Sequence, residues 1–194
     1  MSAIQVMTLV SLSVFYISYI TKMFILKCHG ITGNLLGKGD KPKDARKIEK
    51  YLITATAVGT FIQFGSAIFS GVLWSFTVSA PIRVIGVALL LCGNLIFILA
   101  MLTMGNNWRT GFERGQDTVL VTKGIYKISR NPAFVGFDFL YIGGAIVFSN
   151  IVNVVAALTA VILFHIQILG EEKYLLESFG EEYTRYKSMV RRYL

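Results

Sequence analysis

Long apolar stretches without a charged residue alternate with short polar segments along this chain. A helix needs about 20 mainly apolar residues to cross the hydrocarbon core of a bilayer, so each stretch is long enough for at least one membrane-spanning helix. The last stretch, 139–170, is interrupted by a polar turn at 149–153 and therefore predicts two shorter helices. The pattern predicts five spans, at about 2–21, 53–76, 83–104, 132–148 and 152–170.

The predicted fold is an all-α, polytopic membrane protein with a single membrane domain over residues 1–194. Its last two spans form a short helical hairpin. Because both are close to the minimum length for crossing a bilayer, a re-entrant hairpin is the alternative. The composition agrees with a membrane protein, since 54% of the residues are hydrophobic and only 15% are charged. Soluble domains carry about 25% charged residues.

Glycines recur in pairs on two of the predicted spans. Gly86 and Gly93 lie seven residues apart on the third span, and Gly136 and Gly143 do so on the fourth, so each pair shares one helix face. Such faces allow helices to approach closely in lipid. Plain helix packing is the simpler interpretation. The other is a gap at Gly136 and Gly143 through which a lipophilic ligand enters from the bilayer.

The basic residues predict how the chain crosses the membrane. Of the 19 Lys and Arg residues, all except Arg83 fall in the segments 22–50, 105–131 and 171–194, and five spans place these three segments on one side. The positive-inside rule makes that side cytoplasmic and the N-terminus external. The net charge of +8 is therefore mainly a sign of topology.

The basic run Lys38–Lys50 holds six basic and three acidic residues beside the membrane, and we expect it to contact anionic lipid headgroups. Nucleic-acid binding is disfavoured, because it requires a basic face with groove-reading or stacking elements. Nor does the chain carry a GxGxxG or Walker motif. We expect membrane lipids as neighbours and no obligate protein partner.

The segment 118–136 is the first candidate for chemistry. Asn131 is a favoured N-cap residue and Pro132 suits the first helical position, so the fourth helix is expected to begin here. A helix start presents free backbone N–H groups and partial positive charge, which favour a bound carboxylate or phosphate. The alternative is a simple helix cap beside an interfacial Arg130.

The second candidate is the group Gln167, Glu171 and Glu172 at the end of the fifth span. Gln167 and Glu171 are four residues apart and share a helix face. Carboxylates near a helix C-terminus are disfavoured by the helix dipole, so a cation should compensate them. Candidates are Arg130, Lys123 or a positively charged ligand. With two His and two Cys in the chain, no metal site is expected.

The tail after Gly180 has apolar or aromatic residues at Tyr183, Tyr186, Val190 and Tyr193, interleaved with basic residues. This pattern predicts an amphipathic interfacial helix with its aromatic face in the membrane. A lid over the two candidate sites is the alternative.

Four motifs together resemble the isoprenylcysteine carboxyl methyltransferase family. They are Leu120–Tyr126, Arg130–Gly136, the pair Glu171–Glu172, and Phe179–Tyr183 with Tyr186. The family pattern is a GxY, an RHPxYxG, an EE pair and a G-x-x-Y-x-x-Y tail. The match keeps order and spacing over roughly the C-terminal 40% of the chain, and the short N-terminal region is typical of a prokaryotic member in the cell membrane.

The resemblance implies an integral membrane methyltransferase that uses S-adenosylmethionine, forms S-adenosylhomocysteine and needs no metal. It places the cofactor-binding part in 105–194. Catalysis is assigned to Glu171, with Arg130 and Gln167 as positioning residues. The residues implied to bind the cofactor are Val119, Leu120, Val121, Tyr126, Asn131, Pro132, Ala133, Phe134 and Glu171.

The chain departs from the family pattern at three places. Asn131 replaces the usual His, Phe134 replaces the usual Tyr, and Gln167 stands where eukaryotic members carry an arginine. The implied acceptor is a lipophilic carboxylate such as a C-terminal prenylcysteine, which becomes a methyl ester. A phospholipid or other lipid acceptor is the alternative, and a membrane reductase or small transport protein is a further one.

Overall fold

The computed structural model describes residues 1–69, 75–113 and 119–194. Within these ranges the chain is built from helices, two short 3-10 turns and three isolated bridges, as the all-α prediction requires. The helices are α1 (Ala3–Cys28), α2 (Lys43–Ile68), α3 (Ala80–Met104), α4 (Pro132–Val147) and α5 (Ile151–Met189).

Local sequence explains where several helices begin. Ser2 caps α1 with a capping box, in which Gln5 N donates to Ser2 Oγ and Ser2 N donates to Gln5 Oε1. Pro132 occupies the first turn of α4. Asn150 caps α5, since its Oδ1 accepts from the backbone N of Asn153 at 2.9 Å. The predicted polar turn between the last two apolar helices is therefore confirmed.

The helix that carries the predicted second span, 53–76, begins before that span and ends before its last residue. α2 begins at Lys43 and its last helical residue is Ile68, while residues 70–74 lie outside the described ranges. The helix starts early because Pro42 precedes it and the charged segment after Pro42 contains good helix formers. Hydropathy alone detects only the apolar part of this helix.

Four of the helices in the described ranges are long and apolar enough to cross a membrane, and α4 is a shorter apolar helix. Its 16 residues correspond to about 24 Å, less than the roughly 30 Å hydrocarbon core. The expected short hairpin of the last two helices is only half right. α5 has 39 residues, and its apolar part, 152–170, accounts for the membrane-spanning length.

Beyond Gly170, α5 continues as a charged helix as far as Gly180, and the residues after this kink form the short helix that the tail pattern predicts. Gly180 interrupts it with φ of 49° and ψ of −117°, a left-handed conformation that glycine adopts without a steric penalty. The bend redirects the last helical turns. The helix ends at Met189, so Val190 and Tyr193 are not helical, contrary to the amphipathic pattern.

The four glycines predicted to allow close packing do so between α3 and α4. A Cβ built on Gly143 would lie 2.7 Å from the carbonyl oxygen of Gly86, and one on Gly93 would lie 2.8 Å from that of Gly136. The packing interpretation is confirmed. The hypothesis of a lateral gap at Gly136 and Gly143 is wrong, because α3 fills that face.

The three basic segments meet at one end of the bundle. Asn34, after α1, pairs with Thr110, after α3, and Ser129, before α4, pairs with Arg191 in the tail. Which side of the membrane this end faces stays a prediction. The assignment of 1–194 to one membrane domain also stays a prediction.

Candidate functional site

A cavity of about 390 Å³ lies at the end of the bundle where the basic segments meet, and it extends between the helices. Its deeper walls are aromatic and aliphatic, with Phe15 and Tyr16 from α1, Leu52 from α2, and Phe137 and Phe164 from α4 and α5. Its charged lining residues are Arg109, Arg130 and Glu171, and its polar lining includes Asn131 and Gln167. A single cavity thus joins a charged end to an apolar interior.

Most of the residues proposed from sequence line this cavity. They are Tyr126, Arg130, Asn131, Ala133, Phe134, Gln167 and Glu171. The others are outside its lining: Val119 is 67% exposed, Val121 packs on the main apolar core, Leu120 is partly buried and Pro132 is buried. The role of these four toward a cofactor stays a prediction.

Glu172 is held by two arginines. Its Oε1 accepts from Arg130 Nη2 at 2.8 Å and its Oε2 accepts from Arg192 Nη2 at 2.9 Å. Asn131 Nδ2 adds a longer hydrogen bond of 3.3 Å to Oε1. Although burial opposes ionisation, the hydrogen bonds from Arg192 and Arg130 keep the pKa of Glu172 below its usual value. The sequence predicts a cation that compensates this pair of glutamates. For Glu172, the protein supplies it as Arg130 and Arg192.

Glu171 has a different environment. In the described ranges it forms no salt bridge, and its side chain accepts one hydrogen bond, from Gln167 Nε2 at 3.0 Å. It lies just beyond the apolar part of α5 and lines the cavity. Burial raises the pKa of Glu171 to about 7. A cation placed in the cavity would restore the ionised carboxylate.

Behind Glu171 is a buried ion pair that the sequence did not indicate. Lys41 Nζ lies 2.7 Å from Glu49 Oε2, and neither side chain is exposed. Glu49 also accepts from the backbone N of Gly37 at 2.7 Å and from Gln167 Nε2 at 3.3 Å. Gln167 therefore donates to two carboxylates and is held between them.

Two charges of the run Lys38–Lys50 are therefore inside the protein and not at its surface. Contact of the remaining charges with lipid headgroups stays a prediction. One feature of the sequence does indicate that Glu49 is buried. Glu49 lies on the helix face that continues through Leu52, Gly59 and Gln63, all buried residues of α2. An acidic residue on that face predicts a buried partner.

The tail packs against the segment before α4. Tyr186 donates its hydroxyl to the carbonyl oxygen of Tyr126 at 2.7 Å, and Arg130 Nη1 donates to that of Val190 at 2.6 Å. Tyr183 and Tyr186 are buried. Tyr183 and Tyr186 therefore pack on protein. Whether the tail acts as a lid or as an interfacial anchor stays a prediction.

Asn131 occupies the predicted N-cap position of α4, but its side chain makes no capping hydrogen bond. Its Nδ2 donates instead to Glu172 Oε1 and to the carbonyl oxygen of Arg192. A charged acceptor offers this amide a stronger hydrogen bond than a cap does. The anion site at this helix start stays a prediction.

No group of three His, Cys, Asp or Glu side chains able to hold a metal ion occurs in the part of the chain that the structure describes. The expectation of a metal-free site stays a prediction.

Comparison with known proteins gives a family match and several relatives. Residues 81–182 match the family described as phospholipid methyltransferase. The protein-S-isoprenylcysteine O-methyltransferase of Saccharomyces cerevisiae is 31% identical over 122 residues, which are 61% of this chain and 51% of the relative. The enzymes of that name from Rattus norvegicus and Tribolium castaneum are 35% and 34% identical over 54% and 55% of this chain.

The matched region covers 38% and 39% of the rat and beetle proteins, so the chain spans about two fifths to a half of the curated relatives it matches. Most of the cavity's polar lining lies within or between the matched helices α3 to α5, whereas Lys41 and Glu49 lie before residue 81.

Proposed function

Because this chain belongs to the phospholipid methyltransferase family, we propose that it transfers a methyl group from S-adenosylmethionine to the carboxylate of a lipophilic acceptor such as a C-terminal prenylcysteine. The curated relatives are named for this reaction. The observation that carries the proposal is the cavity itself, which combines a carboxylate that forms no salt bridge within the described ranges with an aromatic interior.

The residues present fit the cofactor. Glu171 lines the cavity and has no salt bridge within the described ranges, so it suits a ligand that brings positive charge. Phe134 and Tyr126 supply rings against which a planar base can lie. When bound, S-adenosylmethionine supplies a methyl group on a sulfonium cation and leaves as neutral S-adenosylhomocysteine once the acceptor oxygen has formed the new C–O bond.

The chain's own contribution is to position and desolvate the acceptor. A carboxylate is ionised at neutral pH, since carboxyl pKa values are about 3.3–4.3, so no residue has to remove a proton. Alignment of two reactants contributes up to about 7–11 kcal/mol. The aromatic walls from α1, α4 and α5 hold the apolar part of the acceptor away from water.

We place the cavity at the cytoplasmic face of an integral membrane protein, with the acceptor entering from the bilayer. Two features support this placement. The segments carrying the basic residues meet at the end of the bundle where the cavity lies. The interior wall contributed by α1 and α2 is apolar, as a lipid-borne ligand requires.

Calorimetric binding of S-adenosylhomocysteine to the purified protein tests the cofactor. We expect binding to the wild type, a loss of about tenfold or more in Glu171→Gln, and unchanged binding in Glu182→Gln, which alters an exposed glutamate. Absence of binding to folded wild-type protein would overturn the methyltransferase proposal.

The acceptor is tested by methyl transfer to N-acetyl-S-farnesylcysteine and, separately, to phosphatidylethanolamine in vesicles. We expect the farnesylcysteine to be methylated. Transfer to the phospholipid amine alone would overturn the carboxylate assignment, because an amine must first lose a proton.

A further inference from the structure

Two arginines line the cavity in the described ranges, and they differ in their partners. Arg130 is paired with Glu172. Arg109 donates from Nη1 to the carbonyl oxygens of Asn106 at 2.6 Å and Trp108 at 2.8 Å, and forms no salt bridge with a described carboxylate. Its positive charge is therefore not balanced by an acid in the described part of the chain.

Arg109 and its neighbour each have an N–H group without an acceptor. Arg109 Nε and Trp108 Nε1 are buried atoms that have no hydrogen-bond partner among the residues described. Trp108 is 3% exposed, and both residues line the cavity. Buried donors are nearly always satisfied, so two adjacent unsatisfied donors beside a cavity indicate a ligand that accepts hydrogen bonds.

The backbone around these two residues is held in place. Thr110 N donates to the carbonyl oxygen of Gly33, and Leu35 N donates to that of Thr110, both at 2.9 Å. The Trp108 ring packs edge-on against Phe97 with centroids 5.7 Å apart. The two donors are thus fixed before any ligand arrives, which lowers the entropy cost of binding.

The other polar groups of the cavity are already committed. Gln167 donates to Glu49 and Glu171, and Asn131 donates to Glu172 and the tail. Glu171 is an acceptor when ionised and repels an anion. Trp108 Nε1 and Arg109 Nε, by contrast, are buried lining donors that have no partner among the described residues and are available to a carboxylate.

We propose that Trp108 and Arg109 bind the carboxylate of the lipophilic acceptor. This inference rests on the proposed function for the identity of the acceptor. The loop that carries the two residues is bonded to the segment after α1, and Trp108 packs in the same aromatic cluster as Phe15 on the apolar side of the cavity. Glu171, which suits the cationic cofactor, belongs to α5. The position favours the acceptor's carboxylate over the carboxylate of the cofactor.

The test measures binding to protein saturated with S-adenosylhomocysteine, using N-acetyl-S-farnesylcysteine and its carboxamide, which lacks the negative charge. We expect the wild type to bind the carboxylate at least about tenfold more tightly than the amide. Arg109→Gln should abolish this preference, and Trp108→Phe, which keeps the ring and removes the N–H, should reduce it several-fold. Arg83→Gln, at the other end of the bundle, is the matched control.

Affinity for S-adenosylhomocysteine serves as the second readout and should stay within about twofold of wild type in all three variants. It also shows that the variants are folded, and Arg109→Met, which likewise removes the charge, replaces Arg109→Gln if the latter does not fold. An unchanged preference for the carboxylate in the Arg109 variant overturns the proposal. So does a wild type that binds the two probes equally or not at all.

Loss of S-adenosylhomocysteine affinity in Arg109→Gln, with acceptor binding unchanged, would assign the two donors to the cofactor's carboxylate and also overturn the proposal. Methyl transfer by the wild type is scored separately. If the wild type binds the carboxylate through Arg109 without transferring a methyl group, the proposed function fails and this binding site stands.

Discussion

Glu171 and Glu172 are neighbours in sequence with opposite environments. Glu172 lies between Arg130 and Arg192, whereas Glu171 faces the cavity with a hydrogen bond from Gln167 and no salt bridge within the described ranges. The pKa of the first is lowered and that of the second is raised to about 7. One carboxylate is compensated by the protein, and the other is left for a ligand to compensate.

Glu49 extends the comparison. Like Glu172 it is matched by a basic side chain, Lys41, but both members are without exposed surface. The compensated carboxylates hold the loop after α1, the segment before α4 and the tail against the helices. The difference indicates that charge balance in this protein is complete where it joins segments and incomplete where it meets the cavity.

The largest expected effect comes from Glu49→Ala, which leaves Lys41 buried without its partner. Breaking a buried ion pair costs about 3–5 kcal/mol, so the midpoint of thermal unfolding should fall by roughly 6–20 °C. The double variant Lys41→Met with Glu49→Leu is the control, because it removes both charges. If the double variant is destabilised as much as the single one, charge is not the cause.

Glu172→Ala should be next in magnitude. It leaves Arg130 unpaired, but Arg192 is about one-third exposed and is hydrated after the loss. We expect a cost of about 3 kcal/mol and a fall of roughly 6–12 °C in the unfolding midpoint. Glu182→Ala, which alters an exposed residue, should change the midpoint little. An unchanged midpoint in Glu172→Ala would show that the pair of arginines contributes no stability.

Glu171→Gln should raise the unfolding midpoint, in contrast to the two variants above. The pKa of Glu171 is higher in the folded protein than in the unfolded chain, so ionisation opposes folding and the cost grows as pH rises from about 4.5 to 7. The ligand-free variant should therefore unfold up to roughly 6–12 °C above wild type at pH 8 and close to wild type at pH 4, below the unfolded-state pKa. Differential scanning fluorimetry at the two pH values measures this, and a variant less stable than wild type at pH 8 would contradict it.

Gln167→Met should have the smallest effect, a loss of cofactor affinity whose size depends on pH. The hydrogen bond from Gln167 lowers the pKa of Glu171, so its loss leaves less of the carboxylate ionised at pH 7. Affinity for S-adenosylhomocysteine should fall by about threefold at pH 7 and recover at pH 9. A loss that is equal at both pH values would indicate that the amide contacts the ligand itself.

The sequence predicts those parts of the fold that depend on local pattern. Hydropathy finds the five apolar helices, and the turn at 149–153 is recognisable because Asn150 suits an N-cap. The glycine pairs predict close packing because their seven-residue spacing puts each pair on one face. The motif residues near Asn131 and Glu171 identify most of the cavity's polar lining.

Features that depend on distant contacts are not predictable in this way. The pattern of α2 places Glu49 on a buried face, but it does not identify Lys41 and Gln167 as the partners of this carboxylate. Arg192 becomes a partner of Glu172 because Gly180 bends the helix between them. Trp108 and Arg109 can be recognised as candidate ligand-binding residues only because the structure shows that they line the same cavity as Glu171.

The glycine contacts between α3 and α4 have a consequence for motion. The two close contacts, Gly86 with Gly143 and Gly93 with Gly136, fix how α3 and α4 are rotated and shifted relative to each other. If one helix slid along the other, side chains would collide with backbone atoms. The end of α3, which leads to Trp108 and Arg109, and the start of α4 at Pro132 therefore belong to one rigid body. Entry and exit of ligands on the microsecond to millisecond timescale of helix displacements are therefore expected to involve movement of α1, α2, α5 or the tail relative to this pair.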